Sequence, residues 1–139
     1  MQGHGPGHQP ARPWNLDALA GAGAIRSTAS DMLTYLEAQL HPGKVPLTSA
    51  LEMCHELRAD SLPGMKVGLA WINVTKTGNF WHNGGTGGYS SYALFSPDED
   101  FALVVLYNTT LGANGSFADR LGEHLEERLS GKAALVLGE

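Results

Sequence analysis

The sequence has little cysteine, little basic charge and no long apolar run, and each shortage excludes a class of protein. Its one cysteine, Cys54, cannot form an internal disulfide, so any disulfide would have to join two chains. Nine Lys and Arg against fourteen Asp and Glu give a formal charge of -5 with no basic cluster, which argues against a nucleic-acid partner. No apolar run is long enough to cross a membrane, so we expect no membrane partner.

What remains is the composition of one globular domain. The 139 residues are 42% hydrophobic and 17% charged, which suits a chain that buries a single core. We therefore expect one domain over residues 1–139. Glycine, proline and histidine dominate residues 1–13, and this segment is expected to be loop-like. The same residues lack the basic and apolar regions of a signal peptide.

Apolar residues recur at helical spacing in three segments. The first follows cap residues at 27–31 and runs to Leu40, where His41-Pro42-Gly43 ends it. A shorter pattern lies between Ser49 and Leu57 and begins with the spacing of a capping box. The third follows Ser116 and repeats every four residues to Leu129. These patterns predict three helices.

Between the second and third helices the apolar period changes to two. Strands are predicted at residues 67–71, 79–83, 89–95 and 101–107. The short connections between them indicate an antiparallel meander. The expected fold is α+β, with a four-stranded antiparallel meander sheet flanked by helices.

Two triplets six residues apart are candidates for an active site. Lys76-Thr77-Gly78 falls between two predicted strands, where turn residues are typical, so we interpret it as a hairpin turn. His82-Asn83-Gly84 falls at the end of a strand and leads into a cluster completed by Gly85, Gly87 and Gly88. Dense glycine lets a ligand or another backbone approach closely, but it is equally typical of a wide hairpin loop. The residues alone leave both interpretations open.

Longer stretches of the sequence resemble a known family. They are Trp81 to Ser91 (WHNGGTGGYSS), Phe101 to Asn108 (FALVVLYN) and Leu19 to Met32 (LAGAGAIRSTASDM). Together they resemble the C-terminal part of the class C β-lactamase-like serine hydrolases, a family that includes penicillin-binding proteins, D-aminopeptidases and family VIII esterases. The resemblance covers about Trp14 to Leu129. It implies the C-terminal part of a β-lactamase/transpeptidase-like fold.

The resemblance also implies roles for the second triplet, which matches the family's Lys-Thr-Gly or His-x-Gly motif. His82 would orient or polarise the acyl or carboxylate group of the substrate, and the backbone N–H of Gly85 would be an oxyanion-hole donor. Asn83, Gly84 and Thr86 are the candidate substrate-binding residues. Asn83 departs from the commoner threonine, which weakens the expectation of hydroxyl-mediated carboxylate binding. We expect no cofactor and no metal.

The nucleophile that the family requires is absent from these 139 residues. The residues three before Lys44, Lys66, Lys76 and Lys132 are His41, Pro63, Asn73 and Leu129, so no Ser-x-x-Lys exists. No Tyr-x-Asn or Ser-x-Asn occurs. Ser90 is a poor alternative, because Tyr92 replaces the final glycine of a nucleophile elbow and the segment is predicted to be a strand. The six histidines show no ligand spacing for a metal.

Two hypotheses follow for the function. The chain is either the C-terminal part of a serine hydrolase, inactive alone, or a non-catalytic binding or oligomerising module built on the same partial fold. In the first case its partner would be a small acyl substrate bound once the missing portion is supplied: a β-lactam, a D-alanyl peptide or an ester. A cytoplasmic protein is expected if Met1 is the native start, and a periplasmic or secreted one if the chain is a fragment of a typical family member.

Residues 101–107 also predict association. The run FALVVLY is apolar at nearly every position, as in a strand covered on both faces, yet a four-stranded meander places it at an edge. It contains no lysine or proline to prevent pairing with another chain. We therefore expect a homo-oligomer that forms through this strand.

Overall fold

The computed structural model describes residues 1–110, 115–133 and 136–137. The helices are α1 (Ala29–Leu40), α2 (Thr48–His55) and α3 (Phe117–Leu129), with short 3-10 turns at Pro6–His8, Asp17–Ala22 and Pro42–Lys44. The strands are β1 (Gly3–His4), β2 (Pro10–Ala11), β3 (Ala59–Asp60), β4 (Met65–Val67), β5 (Ile72–Val74), β6 (Phe80–Thr86), β7 (Tyr89–Ser96) and β8 (Phe101–Tyr107). Among these residues no helix is both long enough and apolar enough to span a membrane.

The main sheet has six strands in chain order from β3 to β8, and β1 pairs separately with β2. The α+β class and the antiparallel meander are confirmed, but the sheet has six strands rather than the four predicted. The difference arises before β6, where three short strands replace one.

The strand predicted at 67–71 is wrong because the chain reverses within it. Gly68 N–H donates to Trp71 O at 2.9 Å, and Ala70 has a φ of 69°, which closes a tight turn between β4 and β5. A side chain at Gly68 would overlap the carbonyl oxygen of Cys54. Val67 therefore ends a strand, whereas Leu69 and Trp71 belong to the turn that follows it. An apolar residue at every second position is found in such a turn as well as in a strand, so the pattern alone could not separate the two.

The chain forms two compact units, and the strands β6, β7 and β8 each contribute residues to both. The first compact unit comprises Met1–Ala29, Asn83–Tyr92 and Val104–Glu139, and the second comprises Ser30–His82 and Ala93–Leu103. In the second unit the core is largely aromatic. Phe80 and Phe95 stack at 5.1 Å between ring centroids, and Trp71 meets Phe95 edge-on at 5.0 Å. Leu36 of α1 is fully buried in the same unit.

In the first compact unit α3 packs through small residues. Ser116 caps the helix, its Oγ accepting from Asp119 N–H at 3.3 Å. Ala118 and Gly122 are the buried residues of this helix. Gly122 lies against the ring of Tyr92, whereas Phe117 contacts Tyr107 at 5.2 Å between centroids. The predicted helix is confirmed. It packs against the rest of the unit through its small residues, Ala118 and Gly122.

The N-terminal segment 1–14, which we call the strap, crosses the ends of β7 and β8. His4 N–H donates to the carbonyl oxygens of Gly88 and Asn108, and Thr110 N–H donates to His4 O at 2.9 Å. Gln2 Nε2 bridges to Ala11 O across the β1–β2 pair. Residues 1–13, expected to be loop-like, thus contain two short strands and a 3-10 turn held by backbone hydrogen bonds.

Candidate functional site

The strand β6 extends beyond the strand that precedes it. Its register with β5 consists of Asn73 opposite Phe80 and Ile72 opposite Trp81. Val74 N–H donates to Asn79 O, so the odd-numbered residues here direct their backbone groups toward β5. Gly85 is also odd-numbered, so its N–H points to the same side of β6 as the backbone groups of Asn79. It lies beyond Trp81, the last residue of β6 that pairs with β5. Residues 82–85 are all exposed.

Gly84 lies against the hydroxyl of Ser91. A Cβ placed there would lie 2.8 Å from Ser91 Oγ on β7. His82 and Gly84 share one face of β6, because successive side chains of a strand alternate between faces. Phe80 also lies on that face and is buried, so the face changes from apolar core to exposed surface along the strand.

Asn83 points to the other face and contacts α3. Its Nδ2 donates to Asp119 Oδ2 at 3.0 Å. The side-chain amide of Asn83, which was predicted to bind substrate, therefore already donates a hydrogen bond to a carboxylate of the chain itself. A second carboxylate, carried by a substrate, would be repelled by Asp119 at this position.

The end of the β6–β7 hairpin is occupied by the strap. A Cβ at Gly87 would lie 2.6 Å from Arg12 O and 2.7 Å from Trp14 Cδ1, and one at Gly88 would lie 2.8 Å from the carbonyl carbon of Gly3. Two of the four glycines, Gly87 and Gly88, thus allow another backbone to approach closely. Close approach of a backbone was one of the two interpretations that the sequence left open. No local sequence signal predicts which segment approaches, because the strap lies some 75 residues earlier in the chain.

Thr86 lies between the exposed run and this hairpin end. Its carbonyl oxygen accepts a hydrogen bond from Thr110 Oγ1 at 3.1 Å, and the residue is half-buried. This bond anchors the end of β6 to the chain that follows β8. Thr86 is adjacent in sequence to Gly85 and so is fixed next to the candidate oxyanion donor.

Ser90 and Tyr92, the residues of the incomplete elbow, are both buried. Ser90 is 4% exposed and its hydroxyl donates to Thr109 O at 3.0 Å. Burial raises the pKa of Tyr92, and the carboxylates of Glu126, Glu123 and Asp119 raise it further. The Ser90 hydroxyl already donates to a backbone carbonyl, so it is unsuited to serve as a nucleophile. The Tyr92 phenol is held neutral, so it is unsuited to serve as a base.

Lys76-Thr77-Gly78 forms the turn between β5 and β6, as the sequence predicts. Gly78 has a φ of 72°, and its N–H donates to Val74 O at 2.9 Å. Asn73 Nδ2 also donates to Gly78 O, which fixes the turn from within. Lys76 is exposed. In the described part of the chain, no group of three or more His, Cys, Asp or Glu could hold a metal ion.

Most of the chain matches a known protein family. No curated protein matches the chain. The protein-family model described as Beta-lactamase matches residues 1–126, a range that includes the strap, the exposed end of β6 and most of α3. That range is most of the 139 residues, and the chain therefore belongs to the Beta-lactamase family.

Proposed function

We propose that residues 82–86 of β6 form the substrate side of a serine-type acyl-transfer site. His82 orients the acyl group of a small substrate, and the N–H of Gly85 is one donor of the oxyanion hole. Gly84 lies beside the substrate, and Asn83 and Thr86 flank it. The reaction class is acyl transfer from a β-lactam, a D-alanyl peptide or a carboxylic ester.

The direction of the Gly85 N–H carries this proposal. Attack on an acyl carbon places negative charge on its oxygen, and a preorganised N–H aimed at that oxygen stabilises the transition state. Gly85 is exposed and directs its N–H away from β7, beyond the part of β6 that pairs with β5. A donor in this position is available to a ligand that lies along the strand.

A complete site needs groups that these 139 residues do not contain. A serine activated by a lysine three residues later forms the acyl-enzyme, and its own N–H commonly serves as a second oxyanion donor. Here such a serine would come from sequence outside the 139 residues. The contribution of this chain is binding, orientation and one oxyanion donor.

The contact between Asn83 and Asp119 favours neutral substrates. Asp119 places a carboxylate 3.0 Å from the amide that would otherwise meet the carboxylate of a β-lactam or D-alanyl peptide. Like charges at such a separation repel, and the repulsion is stronger beside a partly buried helix than in bulk water. Among the three substrate classes, this observation supports the esters.

A matched pair of ligands tests the proposal. The chain labelled with ¹⁵N is titrated with N-acetyl-D-alanine methyl ester and, separately, with the free acid, and amide shifts are followed by NMR. We expect the ester to shift the amides of Gly84 and Gly85 more than those of the turn at 76–78. The free acid should bind more weakly than the ester, and Asp119→Asn should reduce that difference.

Controls separate a specific site from weak general binding. His82→Ala should reduce the response of Gly84 and Gly85, whereas Lys76→Ala should leave it unchanged. Shifts centred on residues 76–78, or no shifts in β6 with either ligand, would refute the acyl site. Stronger binding of the acid than of the ester would refute the preference for neutral substrates alone.

The alternative, a non-catalytic module, is supported by a different observation. The strap already fills the space that Gly87 and Gly88 leave open, so part of the glycine cluster serves the chain itself. A module of this kind needs no nucleophile. It predicts that neither ligand shifts the β6 amides, while the β6–β7 hairpin and the strap remain folded.

A further inference from the structure

The end of β6 is rich in glycine and does not fix its own conformation. Of residues 84–88 only Thr86 carries a side chain, because the other four are glycines. Glycine permits many backbone conformations, so such a run leaves its peptide groups poorly restrained. An oxyanion donor stabilises a transition state only if it is aimed before the substrate arrives. The proposed role of Gly85 therefore requires that other segments hold this end of β6.

Thr110, which follows β8, provides such a restraint at Thr86. Its hydroxyl donates to Thr86 O at 3.1 Å, one residue beyond Gly85 in β6. Threonine is branched at Cβ and its χ1 is restricted, so the hydroxyl is a stiff anchor. Thr110 is also half-buried, which strengthens the hydrogen bond relative to one in bulk water. The residue next to Gly85 is therefore held by a side chain from another segment.

Thr110 also joins this end of β6 to the strap. Its N–H donates to His4 O at 2.9 Å, and His4 N–H donates in turn to Gly88 O at 3.1 Å. Thr86 and Gly88 are two residues apart, so the three hydrogen bonds form a closed chain around the hairpin end. All of these residues belong to the first compact unit. The conformation of the hairpin end thus depends on Thr110 and the strap together.

The two residues before Thr110 make different hydrogen bonds. Asn108 Nδ2 donates to a carbonyl oxygen of the strap at 3.0 Å, and Thr109 O accepts from Ser90 Oγ at 3.0 Å. These bonds fasten the strap and β7, but neither of them reaches β6. Among these three residues, as far as the described part of the chain extends, only Thr110 has a side chain that is hydrogen-bonded to β6.

We infer that Thr110 is a positioning residue for the oxyanion donor and that the strap supports it in this role. Thr110 acts through Thr86, which it holds so that the adjacent Gly85 N–H stays aimed at the acyl oxygen. Loss of the hydroxyl, or displacement of the strap, leaves the same groups in the site but in a looser arrangement. The inference rests on the proposed function, because it assigns Thr110 a part in the same acyl site.

Order parameters of the ligand-free protein test the restraint without any substrate. ¹⁵N relaxation is measured in the wild type, in Thr110→Val, which removes the hydroxyl but keeps the shape and the N–H, and in Thr110→Ser, which retains a hydroxyl. We expect the order parameter of Gly85 to fall from about 0.85 toward about 0.6 in Thr110→Val and to stay near the wild-type value in Thr110→Ser. An unchanged value in Thr110→Val would refute the inference.

Titration with N-acetyl-D-alanine methyl ester measures the consequence for binding. Thr110→Val should weaken the binding of the ester by about threefold to tenfold, the effect of losing one hydrogen bond, whereas Thr110→Ser should bind it like the wild type. Ser90→Ala is the matched control, because it removes a hydroxyl that donates to the neighbouring Thr109 O, and it should leave ester binding unchanged. Equal losses in Thr110→Val and Ser90→Ala would mean that Thr110 has only a structural role.

Two glycines of the strap test its share in the restraint. A Cβ at Gly3 would lie 2.6 Å from the ring of Tyr89, so Gly3→Ala should displace the strap. A Cβ at Gly5 would meet nothing closer than 3.8 Å, so Gly5→Ala is the control. Only Gly3→Ala should lower the order parameter of Gly85 and weaken ester binding. Faster hydrogen exchange at the His4 amide in Gly3→Ala, with Gly85 unchanged, would refute the role of the strap.

The two measurements separate failure of this inference from failure of the proposed function. A wild type that does not bind the ester, but whose Gly85 loosens in Thr110→Val, would refute the acyl site and support the restraint by Thr110. Ester binding that Thr110→Val leaves intact would refute the role of Thr110 and leave the acyl site standing. If circular dichroism shows that Thr110→Val does not fold, Thr110→Ala replaces it, because it removes the hydroxyl without adding a second methyl group, and the same losses are expected.

Discussion

At the scale of single residues, glycine determines where elements of this chain can approach each other. Gly122 lies within α3, where glycine is normally unfavourable by about 1 kcal/mol relative to alanine. Its presence is explained by Tyr92, whose ring occupies the space that a Cβ would need. Helix propensity and packing therefore make opposite demands at this residue, and packing decides.

Gly122→Ala is expected to destabilise the fold in spite of its better helix propensity. Forcing a methyl group against the Tyr92 ring should cost about 1 to 3 kcal/mol, which exceeds the gain in propensity. Gly21→Ala is the control, since nothing lies within 4 Å of a Cβ there. Urea unfolding measures both free energies of unfolding. A Gly122→Ala protein as stable as the wild type would mean that α3 does not rest on Tyr92.

A second residue-scale feature is the histidine in the aromatic core of the second compact unit. His55 Nε2–H donates to Gln39 Oε1 at 2.6 Å, and the ring lies 5.1 Å from both Phe80 and Phe95 between centroids. Burial lowers the pKa of His55, and the nearby Glu52 only partly opposes this effect. The folded state thus favours the neutral imidazole.

This lowered pKa predicts a loss of stability in acid. Above the unfolded-state pKa of about 6.5, histidine is neutral in both states and the contribution is fully present. As the pH falls below that value the unfolded chain takes up a proton more readily, so the free energy of unfolding decreases until the lower folded-state pKa is passed. Urea unfolding of the wild type and His55→Gln at about pH 7.5 and about pH 5 measures this. The advantage of the wild type should shrink at the lower pH, and an advantage that grows would contradict the assignment.

At the scale of elements, the strap and the β6–β7 hairpin depend on each other. Gly88 has a φ of 86°, and its lack of a Cβ admits the backbone of Gly3 and the methyl group of Ala11. The hydrogen bonds of His4 and Thr110 then fasten the strap to the hairpin and to the chain after β8. One glycine therefore sets both the turn and the docking of a distant segment.

Gly88→Ala should detach the strap, and Gly7→Ala should not. Both residues have positive φ, so both substitutions carry a similar backbone strain of about 1 to 2 kcal/mol. Gly7 has nothing within 4 Å of a Cβ, whereas Gly88 would overlap the strap, adding about 1 to 3 kcal/mol. Hydrogen exchange at the amides of His4 and Thr110 should accelerate in Gly88→Ala alone. Equal exchange in the two variants would show that the strap is held by other contacts.

Local pattern was sufficient to predict the longer elements but not the short ones. The helices and the strands from β6 to β8 have enough residues for an apolar period to appear, and their predicted bounds differ from the structure by a few residues. The strands β1 and β3 have two residues each and are held by backbone bonds, which no side-chain pattern encodes. The contact of Asn83 with Asp119 joins residues 36 apart, so sequence predicted the candidate residue but not its partner.

At the scale of the whole molecule, the decisive feature is that the 139 residues contain a candidate binding strand but no activated serine. The 139 residues carry an exposed strand end with the backbone N–H that we propose as an oxyanion donor, yet no serine in them is followed by a lysine at the spacing that activates it. Ser90, the serine of the incomplete elbow, is buried and donates to a backbone carbonyl. Binding and transition-state stabilisation alone do not replace a nucleophile.

We therefore expect the purified chain to show no hydrolysis of nitrocefin or p-nitrophenyl butyrate above the rate in buffer. Incubation with a fluorescent penicillin should leave the intact mass unchanged, because no activated serine is present to be acylated. Ser90→Ala serves as the control and should behave identically in both assays. Sustained turnover that disappears in Ser90→Ala, or a mass adduct located on the peptide containing Ser90, would show that this buried serine becomes accessible and acts as the nucleophile. Turnover that persists in Ser90→Ala would instead mean that another group in the chain performs the reaction, and the assignment of this chain to the substrate side alone would be wrong.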